Sequence, residues 1–86
     1  MKIQVRKPTD AEKKEAARWP IWTKEASTFP WHYDEQETCL ILEGRVSVQA
    51  GKEAVSFGAG DRVVFPKGLD CTWNIAEPVR KHYKFG

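Results

Sequence analysis

The chain opens on an alternation. Ile3 and Val5 fall on one side and Lys2, Gln4 and Arg6 on the other, which predicts a short strand within Met1–Lys7 with one wet face. Pro8 ends it. Thr9-Asp10-Ala11-Glu12 reads as a capping box, and the Ala- and Lys-rich stretch to Arg18 has good helix propensity. The residue before a proline avoids the α region, so Pro20 stops this helix, predicted over Thr9–Ala17. From Ile21 onward the pattern is β. Glu37–Leu42 is a strand apolar on both faces over its second half, with a turn at Glu43-Gly44. Arg45–Gln49 alternates cleanly, Ala50-Gly51-Lys52 turns, and Glu53–Phe57 is the next strand. Gly58-Ala59-Gly60-Asp61 turns again, Arg62–Phe65 is a strand, and Pro66-Lys67-Gly68 is a turn. Cys71–Ile75 and Val79–Phe85 are predicted as two final strands. Short strands at roughly eight-to-twelve-residue spacing with Gly/Pro punctuation predict an all-β antiparallel sandwich or small barrel with one N-terminal helix.

Composition narrows the function classes. The 86 residues make one domain, 1–86, able to bury roughly 60–65 % of the unfolded surface. Aromatics at 12 %, four of them Trp, argue against disorder. With 14 basic and 12 acidic residues the net charge is +2, too weak for a nucleic-acid partner. No apolar run approaches the ~20 residues of a membrane span, and the first residues lack an apolar signal-peptide core. The two cysteines therefore read as free thiols in a reducing compartment, and the expected location is cytoplasmic.

Two phrases carry a resemblance. Glu37 is followed by six residues and then Gly44 in Glu-Thr-Cys-Leu-Ile-Leu-Glu-Gly. Further on stands Gly60-Asp-Arg-Val-Val-Phe-Pro66-Lys-Gly68, with Cys71 beyond it. These resemble the two sequence motifs of the cupin superfamily, which implies a cupin-type (RmlC-like) double-sheet jelly-roll barrel. Trp-Pro-Ile-Trp, Phe-Pro-Lys-Gly-Leu-x-Cys and Glu-Pro-Val-Arg-Lys-His-Tyr, with the phrases above, resemble small single-domain cupins grouped with the ureidoglycine aminohydrolase cupin domain.

In metal-binding cupins the motifs supply two His, a Glu and a third His around one metal. Carried over by position, the two His fall on Trp31 and Tyr33, the Glu on Glu37 and the last His on Cys71. Glu37 alone is retained, and His32 lies one residue out of register, which on a strand is a change of face. The sequence confirms no cofactor. His32, Glu37 and Cys71 are what remain as candidate ligands for a divalent metal (Zn, Fe, Mn or Ni).

Parity extends the site. If Glu37 faces the interior, Cys39 does too, and Cys71 would face in with Trp73. The candidate pocket is thus Trp31, Tyr33, Glu37, Cys39, Cys71 and Trp73. Five of the ten aromatics lie between Trp19 and Tyr33, and Trp19 and Trp22 read as core. Glu37 is the candidate catalytic group, a general acid or base, or else a carboxylate held by the Tyr33 hydroxyl, a Trp indole or a water. An aromatic cavity with one carboxylate suits a small ligand with a planar or cationic group. On the last strand Val79, Lys81, Tyr83 and Phe85 share one face. Arg80, His82 and Lys84 share the other, read as a solvated charged stripe with His82 a candidate for the rim or a subunit contact. Leu40 and Leu42, opposite Glu37, point out of the barrel and suggest a homodimer face.

The residues support a small-molecule-binding cupin with a degenerate metal site. The alternative is a metal-dependent enzyme acting on a small nitrogenous or phenolic compound. A third reading is a structural or interaction module. Whether the chain is an enzyme, and what it binds, stay open at this point.

Overall fold

Every strand pairing in the computed structural model, which describes residues 2–86, is antiparallel. Among the described residues there are seven strands and one helix: β1 (Gln4–Arg6), α1 (Asp10–Ala16), β2 (Ile21–Lys24), β3 (Ser27–His32), β4 (Glu37–Ala50), β5 (Glu53–Gly58), β6 (Arg62–Phe65) and β7 (Asp70–Phe85). The helix begins as its sequence demands. The Thr9 side chain accepts from the Glu12 backbone N–H at 3.2 Å, and Glu12 accepts from the Thr9 N–H at 2.8 Å.

β4 and β7 are the spine. They pair with each other along nearly their whole length, and each changes its outer partner halfway. The first half of β4 pairs β6 and the second half β5, while β7 pairs β3 through Asp70–Ile75 and β2 through Val79–His82. Two half-sheets sharing two long strands enclose one core, the jelly-roll barrel of the cupin type.

The sequence pattern places a turn at Glu43-Gly44 and a break before Val79. Neither is a reversal. The β4–β7 register instead shifts between Ile41 and Val46, a bulge that bends both strands. Gly44 adopts φ 112° there, and a Cβ on it would lie 2.7 Å from the Pro78 carbonyl oxygen and 2.8 Å from Val79 Cα. Pro78, which has no N–H to give a ladder, sits opposite at the same interruption. Ion pairs Arg45–Glu77 and Arg80–Glu43 cross the bend on the outside.

The interior alternation holds elsewhere: Cys39, Ile41, Val46 and Val48 of β4 and Cys71, Trp73, Ile75 and Val79 of β7 are all buried. One expected surface is not a surface. Leu40 is only 9 % exposed in the single chain, and α1 contacts β4. Leu42 is half-buried.

Candidate functional site

The most polar feature of the interior is an ion pair. Glu37, opposite Phe85 in the ladder, and Lys81, opposite Ile41, both point inward. The lysine stem runs along the barrel interior and brings Nζ to 2.8 Å from Glu37 Oε2. Glu37 is 3 % exposed and Lys81 4 %. The ammonium also lies 4.9 Å from the Trp22 ring centroid and 4.6 Å from that of Trp73, so two indoles and a carboxylate surround it. Desolvated cation–π contacts of this kind contribute about 2 kcal/mol. Removing one member of a buried ion pair costs about 3–5 kcal/mol, because the other charge is left without a partner.

This pair forms the floor of a cavity of about 500 Å³ whose walls are aromatic. Trp73 is the hub. Phe29 stacks on it at 6.1 Å between centroids, Trp22 meets it edge-on at 6.1 Å, and Phe57 and Phe65 back it from the core. Tyr33 stacks on Phe65 at 4.8 Å and meets Trp31 edge-on. Tyr83 and Phe85 close the opposite wall. Trp31 at 49 % and Phe85 at 44 % exposure stand at the mouth, and exposed Lys24 reaches over Phe29 at its rim.

Trp31, Tyr33, Glu37 and Trp73 thus meet in one cavity. Cys39 and Cys71 do not line it. Cys39 is fully buried with its thiol toward the Val63 carbonyl, and the Cys71 thiol points at the Trp31 carbonyl. Each is drawn into the wall by its own strand partner. Burial pushes the Cys39 thiol up to about 12, and burial followed by the Asp70 and Glu37 charges raises Cys71. Both are protonated at neutral pH. Burial first, then the neighbouring Glu37 carboxylate, also drives the Tyr33 hydroxyl far above the usual phenol range.

His32 faces away from Glu37. Its ring is half-exposed, with Nδ1 2.6 Å from Asp70 and Nε2 3.5 Å from Asp34, as the one-residue change of face requires. His82 is half-buried rather than part of a solvated stripe, and its Nδ1–H donates to the Trp19 carbonyl at 3.0 Å. Trp19 and Trp22 are half-buried, and Trp22 is a cavity wall.

Sequence reasoning left out Trp22, Phe29, Tyr83, Phe85 and above all Lys81. The signal for Lys81 was its shared parity with Val79 and Tyr83. The partner expected for Glu37 was a hydroxyl, an indole or a water; the Tyr33 hydroxyl does face the carboxylate, and the structure adds an ammonium that was not expected.

The metal implied by the cupin motifs does not fit these side chains. The Glu37 carboxylate is engaged by Lys81. An indole N–H at Trp31 is a donor and offers no lone pair. The Cys71 thiol is protonated and turned to a carbonyl, and His32 is on the outside. Among the described residues no three His, Cys, Asp or Glu side chains are grouped to hold a metal ion.

A family model described as the EutQ-like cupin domain matches residues 11–83. Among solved structures, a DUF861 family protein from Thermotoga maritima is 48 % identical, covers 99 % of this chain and 100 % of its own, and superposes with a TM-score of 0.94. A putative ethanolamine utilization protein Q from Salmonella typhimurium is 28 % identical with a TM-score of 0.69. The match covers 76 % of this chain and 53 % of that protein, so this chain spans about half its length. A DUF861 family protein from Pseudomonas syringae pv. tomato, 24 % identical, matches 77 % of this chain and 29 % of its own with a TM-score of 0.70, a likeness of fold. No curated protein matches the chain.

Proposed function

The chain belongs to the EutQ-like cupin family, and from that premise we propose that it is a small-molecule-binding cupin working without a divalent metal. The observation that supports this reading is the cavity of about 500 Å³, walled by Trp and Tyr rings and floored by the buried Glu37–Lys81 pair. A volume of that size, mostly apolar with a few convergent polar groups, is the ordinary form of a small-ligand site. The resemblance to ureidoglycine aminohydrolase cupins belongs with metal chemistry, for which the ligand set here is degraded, so binding is preferred to hydrolysis.

The test is a titration of the tryptophan emission with a panel of one- and two-ring compounds, repeated as thermal shift. At least one should produce a saturable change. Trp31→Ala, at the exposed mouth, should weaken that ligand about five- to tenfold, the worth of one aromatic contact, with little change in stability. A panel that leaves both emission and melting untouched overturns the reading.

A further inference from the structure

Resting on the ligand-binding reading, we infer that the cavity selects a neutral, planar ligand presenting a hydrogen-bond donor and acceptor side by side, as an amide or lactam does. An aromatic cage with a carboxylate at its base is ordinarily a receptor for a cation. Here the cage is filled from within. Lys81 Nζ lies against both the Trp22 and Trp73 rings, 4.9 and 4.6 Å from their centroids, and 2.8 Å from Glu37. A cationic ligand would have to displace a lysine that is 4 % exposed and already paired with the only carboxylate among the described lining residues.

An anionic ligand fares no better. Lys81 is its only counter-charge at the floor among the described lining residues, and Glu37 already neutralises it. The titratable neighbours add no charge, since Tyr33 and Cys39 are both held protonated by burial. Lys24, the other cation of the lining, is exposed at the rim and screened by salt.

A neutral ligand meets no such opposition. The ammonium has three protons, one of them given to Glu37, and a carboxylate has about four acceptor directions, of which Lys81 and the Tyr33 hydroxyl take two. The floor therefore retains a donor and an acceptor less than 3 Å apart, the spacing at which an amide's C=O and N–H stand. The flat walls of Phe29, Trp31 and Trp73 select for a ring attached to it.

Benzamide, benzoate and benzamidinium have nearly one shape and charges of about 0, −1 and +1, and they separate the alternatives. Binding is read by tryptophan emission and calorimetry in about 0.15 M salt, which screens Lys24. Benzamide should bind the unmodified protein about tenfold more tightly than either charged isostere. Glu37→Gln uncovers the Lys81 charge and should move the preference to benzoate. Lys81→Met uncovers Glu37 and should move it to benzamidinium. Should either variant fail to fold, the ranking on the unmodified protein still decides. A charged isostere that binds as tightly as benzamide overturns this inference and leaves the ligand-binding reading standing. If none of the three binds, the inference falls, and the ligand-binding reading falls with it only if the wider panel is silent too.

Discussion

Lys81 cannot lose Glu37 without stranding a charge in a cavity floor lined by indoles, and that fixes how single residues should behave. Lys81→Met should lower the unfolding free energy by about 3–5 kcal/mol, measured by urea denaturation. Glu37→Gln should also destabilise. The double variant should recover most of the loss, because replacing a buried pair by uncharged groups of similar size is often close to neutral. Lys81→Met at unmodified stability would mean that the ammonium is not buried against Glu37. Taken as an isolated interior carboxylate, Glu37 would gain stability on becoming Gln; the ammonium reverses that sign. Parity along Val79–Phe85 placed Lys81 on the inward face, but it stands among Arg80, His82 and Lys84, and a local charge run reads as solvated. Its counter-ion lies 44 positions away, beyond any local pattern. The thiols were easier, because inward parity sufficed to bury them. With Cys39 pushed up to about 12 by burial and Cys71 raised likewise, both should alkylate orders of magnitude more slowly in native buffer than in guanidinium, Cys39 the slower. Two fast native thiols would contradict their placement.

Elements are governed here by a few backbone positions. Gly44 takes a φ open to almost no other residue, and the Pro78–Val79 backbone occupies the space a side chain would need. Gly44→Ala should therefore cost about 2–4 kcal/mol by denaturant unfolding, from the strained φ together with the clash. A loss under about 0.5 kcal/mol would place the bend elsewhere. The bend also shows what local patterns hide. A glycine and a proline read as chain reversals, and only long-range pairing tells a bulge in a long strand from a turn between two short ones. The helix cap, by contrast, is wholly local and was legible. The Arg6 guanidinium, through two hydrogen bonds, and then the Thr9 backbone hold the Glu12 carboxyl at about 2, below its ordinary 4.5. A depressed folded-state value stabilises the fold above the ordinary one, and that contribution is lost as pH falls from about 4.5 toward 2. The stability difference between the unmodified protein and Glu12→Gln should be constant near neutrality and shrink across that window. A difference that does not change with acid would remove Glu12 from the cap.

At the scale of the whole molecule the barrel was the most legible feature, because the spacing of Gly60, Pro66 and Gly68 marks a fold rather than a function. What the barrel encloses was less so, since charge balance inside it is set by all the walls together. That balance decides the metal question. A divalent ion entering beside Glu37 would have to expel Lys81 from its place against two indoles, and would gain only one carboxylate and a protonated phenol in return. A metal bound at a free concentration one hundredfold above its Kd stabilises a fold by about 2.7 kcal/mol. For a domain of this size that is a shift of roughly 10 °C or more in melting temperature. The protein should therefore melt within about 2 °C of the same temperature in EDTA and in micromolar Zn, Mn, Ni or Fe, a stabilisation of no more than about 0.5 kcal/mol. Elemental analysis of protein prepared without a metal-chelating resin should find far less than one equivalent. Stoichiometric metal that raises the melting temperature by about 10 °C and disappears in Glu37→Gln would show that the carboxylate prefers a metal to Lys81. It would return the chain to the metal-dependent enzymes of its fold.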